Sequence, residues 1–205
     1  MPRSDETTQM LPQVYRAPAR ALHWSIALLV LVTLPVGFIM VDRSDVKFAD
    51  GDTTKAAFEA TTNLMYDWHK VIGITILALM VARLAYRLIV GAPRSEPYLP
   101  SWEKGLSHAV HWSMYALLFA VPIAGYLGIS YGDYLTTFGV KLPGLVALHE
   151  GDNHDKISEQ IFTLHKLGAI ALVALVALHV AGALYHKLVR GDGVLNRMWP
   201  GRSAQ

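Results

Sequence analysis

The chain has 205 residues, 53% of them apolar, with a mean hydropathy of +0.32 and a net charge of +2. The apolar share exceeds the roughly 45–50% of soluble domains, and the near-neutral charge excludes a broad basic surface for nucleic acid. With no cysteine, a disulfide framework, a thiolate zinc site, an iron–sulfur cluster and a thioether-linked haem are all excluded.

A membrane span needs about 20 predominantly apolar residues. Four segments meet that length: Leu22 to Val41, Trp68 to Val90, His108 to Ser130, and Phe162 to Leu188. None alternates strictly, and only helices or closed barrels satisfy the backbone in lipid. The expected fold is therefore all-α, a single four-helix membrane bundle over residues 1–205. Pro35 and Pro122 sit late in the first and third spans, where neighbouring helices re-satisfy the freed carbonyls. The first span is too long for a secretory h-region and lacks a small-residue cleavage site, so a retained helix is expected. Ala92 to Pro100 reads as a Pro-rich connector. The loop His149-Glu150-Gly151-Asp152-Asn153-His154-Asp155 matches no calcium-loop spacing and reads as solvated chain.

Short-loop Lys and Arg set orientation. The side holding the N-terminus, the second connector and the tail carries ten Lys/Arg and five Asp/Glu, a net of +5. The side holding loops 42–67 and 131–161 carries seven and eleven, a net of −4. Both termini are expected in the cytoplasm, in a bacterial inner membrane, with the two longer loops outside.

A weak repeat runs through the chain. Ala21-Leu22-His23-Trp24-Ser25 opens the first span and Ala109-Val110-His111-Trp112-Ser113 the third. Each is followed by a proline and a glycine, Pro35 and Gly37 or Pro122 and Gly125. His69-Lys70 and His165-Lys166 open the second and fourth spans. Two related hairpins that build paired sites between them would give this pattern.

An ionisable residue inside a span is costly and marks function by default. His165 and His179 share the fourth span. Their spacing advances about 21 Å and returns to within about 40° of the same face. Two imidazoles at two depths suit two haem cofactors, one above the other, each needing a second donor from a facing helix. By depth, His69 pairs with His165 outside, and His23 with His179 inside. Zinc would want its ligands clustered together. The repeat equates His111 with His23, so spacing alone leaves His111 and His179 as alternatives for the inner site. His108 lies on the face of His111, and His186 is about 20° off the face of His179. Gly73 and Gly168 are candidates for close approach of a flat macrocycle. Lys70 and Lys166 outside, and Arg20 inside, are placed to meet haem propionates or to anchor at the interface. Arg83, within the inner end of the second span, calls for an anionic partner.

These residues resemble the bacterial cytochrome b561 family over about residues 15 to 200. The resemblance is carried by Leu22-His23-Trp24, by His69 with Gly73, and by Gly105-Leu106-Ser107-His108-Ala109-Val110-His111. Leu117-Leu118-Phe119-Ala120-Val121-Pro122-Ile123-Ala124-Gly125 extends it, as do His165, Leu178-His179 and the tail Leu195-Asn196-Arg197-Met198-Trp199-Pro200. It implies two haem b, with axial ligands from the first helix, the second, and twice from the fourth. That selects His179 over His111 and leaves His108 and His111 beside the inner haem or on the quinone side.

The expected function is membrane electron transfer between an outer donor and ubiquinone. In one reading superoxide is the donor and the protein is a superoxide:quinone oxidoreductase. In the alternative, a partner dehydrogenase or hydrogenase feeds quinone through a cytochrome b subunit. A bundle whose histidines bond only between helices is the reading without redox chemistry. A positive funnel would speed capture of superoxide, and the acidic outer side works against it, offset locally by Lys70 and Lys166.

Overall fold

The computed structural model describes residues 14–93, 98–147 and 153–199. Four long helices dominate: α1 (Ala17–Ser44), α2 (Lys55–Val90), α3 (Ser101–Tyr131) and α4 (His154–Tyr185). A wide turn, His186–Arg190, continues α4, and a short 3-10 turn, Leu195–Arg197, follows. All four helices are long and apolar enough to cross a membrane. The lipid-facing surface is correspondingly apolar, with Leu28, Leu31, Leu164 and Leu167 all exposed.

The helices extend beyond the apolar spans. α2 begins at Lys55 rather than near 68, because residues 55–67 are good helix formers that are merely too polar for a membrane core. Lys55 and Glu59 pair across one turn at 3.8 Å. The preceding turn is tied by Asp52, whose Oδ1 accepts from the Thr54 hydroxyl and amide at 2.7 and 2.8 Å. Those bonds, the hydroxyl first, hold the Asp52 carboxyl below its ordinary range. Arg43, at the end of α1, donates to Thr61, Thr62 and the Phe58 carbonyl and lies 3.6 Å over the Phe58 ring. α4 likewise starts at His154, and the Ser158 hydroxyl donates to the Gly128 carbonyl at 2.9 Å. Of the loop read as solvated chain, residues 149–152 lie outside the described residues, as does Pro200 of the tail.

The loop after α3 folds into a two-residue-turn hairpin, β1 (Thr136–Thr137) with β2 (Val140–Lys141). Its turn is Phe138-Gly139, both with positive φ (48° and 76°). Such a turn usually carries Asn-Gly or Asp-Gly, so nothing in the local sequence announced it.

The closest packing is α1 on α2 and α3 on α4, with α2 on α3 next. Two hairpins therefore stand side by side, as the repeat implies. Their shared core is at mid-depth: Ile26 and Val30, Ile76 and Met80, Tyr115 and Leu118, and Leu172, from all four helices. At the end carrying both termini, the tail closes back on α1. The Tyr15 amide donates to the Arg197 carbonyl (3.1 Å), the Trp24 indole to Met198 (2.8 Å) and Arg20 to Trp199 (3.0 Å).

Helix glycines divide by what a side chain would meet. A Cβ at Gly128 would lie 2.7 Å from the Phe162 ring, whereas at Gly105 it would meet nothing within 4 Å. Gly128→Ala should cost about 1–3 kcal/mol through overpacking, and Gly105→Ala should gain about 0.5–1 kcal/mol from helix propensity. Thermal unfolding in detergent, followed by tryptophan fluorescence, checks both signs.

Candidate functional site

The structure brings the histidines together at two levels, above and below the mid-depth core. At the hairpin end, the His69 and His165 rings have centroids 6.0 Å apart. At the termini end, His23 and His179 are 6.2 Å apart. His111 also reaches the second level, with its ring 5.0 Å from His179. His108 does not: its side chain is exposed, although it lies only one turn from His111.

Each imidazole at the hairpin end is held by the other helix of its own helical hairpin. The His165 Nδ1 lies 2.8 Å from the Val121 carbonyl. A carbonyl only accepts, so Nδ1 carries the proton and Nε2 of the neutral ring keeps its lone pair. The His69 Nδ1 lies 3.2 Å from the Thr33 hydroxyl. A Cβ at Gly37 would stand 2.9 Å from His69 Cε1, and one at Gly125 would stand 3.0 Å from His165 Cε1 and Nδ1. Only glycine leaves room for these rings to lie flat on the neighbouring helix. The sequence repeat contains both glycines, but nothing in it points to a histidine partner.

A cavity of about 860 Å³ opens between the two helical hairpins at this level. His69, His165, Gly37, Gly125 and Gly73 line it, and polar groups ring its end: Lys70, Lys166, Tyr126 and Tyr134. A Cβ at Gly73 would meet nothing within 4 Å, whereas one at Gly168 would strike Val121 at 2.8 Å. Gly73 thus faces open space, and Gly168 serves α3–α4 packing. The two lysines differ. Lys70 Nζ donates to the Thr136 and Tyr134 carbonyls at 2.6 and 3.3 Å and lies 3.6 Å from Asp67. Lys166 is exposed and, among the described residues, has no hydrogen-bond or ion-pair partner.

At the termini end, His111 Nδ1 donates to the Ser107 carbonyl at 2.6 Å. Arg83 donates to the Ala19 carbonyl at 2.9 Å and sits 5.9 Å from the Tyr115 ring. His186 Nδ1 lies 2.7 Å from Asp192, and Arg190 makes a forked pair with Glu103 at 2.6 and 2.8 Å. Arg20 donates to the Trp199 carbonyl of the tail at 3.0 Å. Among the described residues, no group of three or more His, Cys, Asp or Glu closes around a metal ion.

A family profile, prokaryotic cytochrome b561, matches residues 14–201. The chain belongs to the prokaryotic cytochrome b561 family. A cytochrome b561 homolog of Escherichia coli K12 ("homolog 2") is 30% identical over 91% of this chain and 92% of its own length. A second E. coli homolog ("homolog 1") is 27% identical over 70% and 79%. A protein of Yersinia pestis named probable superoxide oxidase CybB is 32% identical over 65% and 76%. As a cytochrome b561, the chain is a multi-pass membrane electron-transfer protein that binds b-type haem.

The residues present fit that group. An iron held by two imidazoles through metal–nitrogen bonds of about 2 Å sets their centroids about 6 Å apart. The pairs His69–His165 and His23–His179 match that spacing, and His111–His179 is shorter. The cavity falls within the roughly 300–1,000 Å³ of cofactor pockets. Gly125→Val should push the His165 ring from its seat and weaken haem retention about 10–100-fold, the usual scale for a disturbed ligand support. The pyridine haemochrome assay reads this as a lower haem content per chain, and unchanged content would refute the seating role of Gly125.

Proposed function

We propose that this cytochrome b561 holds two haem b, ligated by His69 and His165 at the hairpin end and by His23 and His179 at the termini end. We further propose that it moves electrons from superoxide to ubiquinone across the bacterial inner membrane. The observation that carries this reading is the pair of histidine couples, 6.0 and 6.2 Å between centroids, separated by a packed apolar core. The likeness to the Yersinia pestis protein named probable superoxide oxidase supports the choice of donor. The Lys and Arg excess around the termini supports a cytoplasmic position for that end and an outer position for the hairpin.

When bound, haem supplies a one-electron carrier at each depth. The chain's own residues do the rest. Val121 and Thr33 fix the orientation of the hairpin-end imidazoles, and donation from Nδ1 raises the basicity of the ligating nitrogen. Each superoxide loses one electron and leaves as dioxygen. Ubiquinone takes two electrons and two protons and leaves as quinol, so two superoxides are consumed per quinol. Lys166, the cation at the cavity without a partner among the described residues, serves a propionate or the incoming anion. His111, His108, Arg83 and His186 form the quinone side, where His186 Nδ1 lies 2.7 Å from Asp192.

One observation favours a second reading. The outer side carries eleven carboxylates against seven Lys/Arg, a field that opposes an incoming anion. It suits a cationic partner dehydrogenase or hydrogenase instead. Stopped-flow absorption of the oxidised protein separates the two. Mixing with superoxide should reduce the haem within milliseconds, and reoxidation should follow only when ubiquinone is present. Haem bands that respond to dithionite and ignore superoxide would transfer the function to the partner-fed reading.

A further inference from the structure

Lys70 directly follows His69, and charge alone makes it a candidate to meet an anion. Its contacts assign it other work. The ammonium group is directed at two backbone carbonyls of the segment after α3, Tyr134 at 3.3 Å and Thr136 at 2.6 Å. Asp67, one turn away on α2, accepts from the Phe138 amide at 3.1 Å and lies 3.6 Å from Lys70 Nζ. Trp68, between them in sequence, stacks edge-on against the Phe138 ring at 5.2 Å. Three side chains within one turn of α2 thus grip one hairpin.

The segment crosses the cavity. The Tyr134 amide donates to the Ile129 carbonyl on α3 (2.9 Å), and the Tyr134 ring meets Phe162 on α4 at 6.5 Å. Tyr134 and Thr136 line the cavity, as does Lys70. The Tyr126 hydroxyl donates to the Pro143 carbonyl at 2.7 Å and holds the far end. The hairpin therefore runs from α3 and α4 to α2 across the end of the cavity. Phe138 is held at φ 48°, a left-handed conformation that non-glycine residues seldom take. Such strain persists only where surrounding contacts over-determine it: Asp67 and Trp68 hold the Phe138 amide and ring, and Lys70 holds the strand leading into the turn.

We propose that Lys70 and Asp67 are positioning residues that strap the hairpin across the cavity mouth, and that this strap sets the donor class: small diffusible reductants are admitted and protein reductants are held away. The inference deepens the proposed function and rests on its placement of a haem in this cavity. It also bears on the choice between the two donors, because a strapped mouth disfavours a docked redox protein.

The test uses the haem-loaded protein and two readouts. The chain has no cysteine, so Val140→Cys, at an exposed β2 position, gives a single site for a spin label. In the parent the label should report an ordered hairpin. In Lys70→Met, and separately in Asp67→Ala, it should become mobile, and Lys70→Arg should restore part of the order. Two charge-assisted bonds lost from a two-state closure shift it by about tenfold or more. The ratio of haem reduction by reduced ferredoxin to reduction by superoxide should rise by about the same factor in Lys70→Met.

A label as immobile in Lys70→Met as in the parent overturns the strap. A mobile label with an unchanged ratio, or a parent already reduced rapidly by ferredoxin, overturns the role in donor selection. If superoxide reduces neither parent nor variant, dithionite replaces it as the small reductant. That outcome defeats the superoxide reading and leaves the strap to be judged by the same ratio.

Discussion

In hydrocarbon a polar group without a partner costs several kcal/mol, and that constraint governs the histidines of this chain. An imidazole in a span must satisfy two nitrogens. At the hairpin end one nitrogen of each ring is satisfied by protein: Val121 holds His165 and Thr33 holds His69. The two rings stand 6.0 Å apart between centroids and line one cavity. That is the spacing at which an iron would bridge two imidazoles. The two-hairpin architecture follows from the same need. Close packing within each hairpin seats the rings on Gly37 and Gly125, and looser packing between hairpins leaves space for a flat cofactor.

The two ends are built differently. The hairpin end has the large cavity, a roof of irregular chain and a single histidine pair. The termini end draws three imidazoles together and is closed by the tail against Tyr15, Arg20 and Trp24. There Arg190 pairs with Glu103, His186 lies against Asp192, and Arg83 donates to a backbone carbonyl. This asymmetry suits a protein that exchanges electrons with different reactants on its two sides.

Much of the fold was legible because membrane spans are a one-dimensional property: four apolar runs suffice to read four helices. Their ends were not legible, since Lys55 to Asp67 is helical for reasons of propensity and capping rather than apolarity. The Phe138-Gly139 turn escaped because tertiary contacts hold a residue that the turn itself disfavours. In the site, the depth of each histidine followed from helical rise, and the structure brings together the four that depth-matching paired. It also separates His111 from His108, which helical spacing places on one face. Gly37, Gly125, Thr33 and Val121 could not be assigned from the sequence, because their role is contact with a ring on another helix. Lys70 and Lys166 look equivalent by position, and only the hairpin distinguishes them.

The central claim is that paired histidines at two depths hold two haems. The most direct measurement counts haem b per chain by pyridine haemochrome in the parent, in His179→Ala and in His111→Ala. The account predicts two in the parent, one in His179→Ala and two in His111→Ala. One haem in the parent, or a haem lost with His111 and kept without His179, would contradict it.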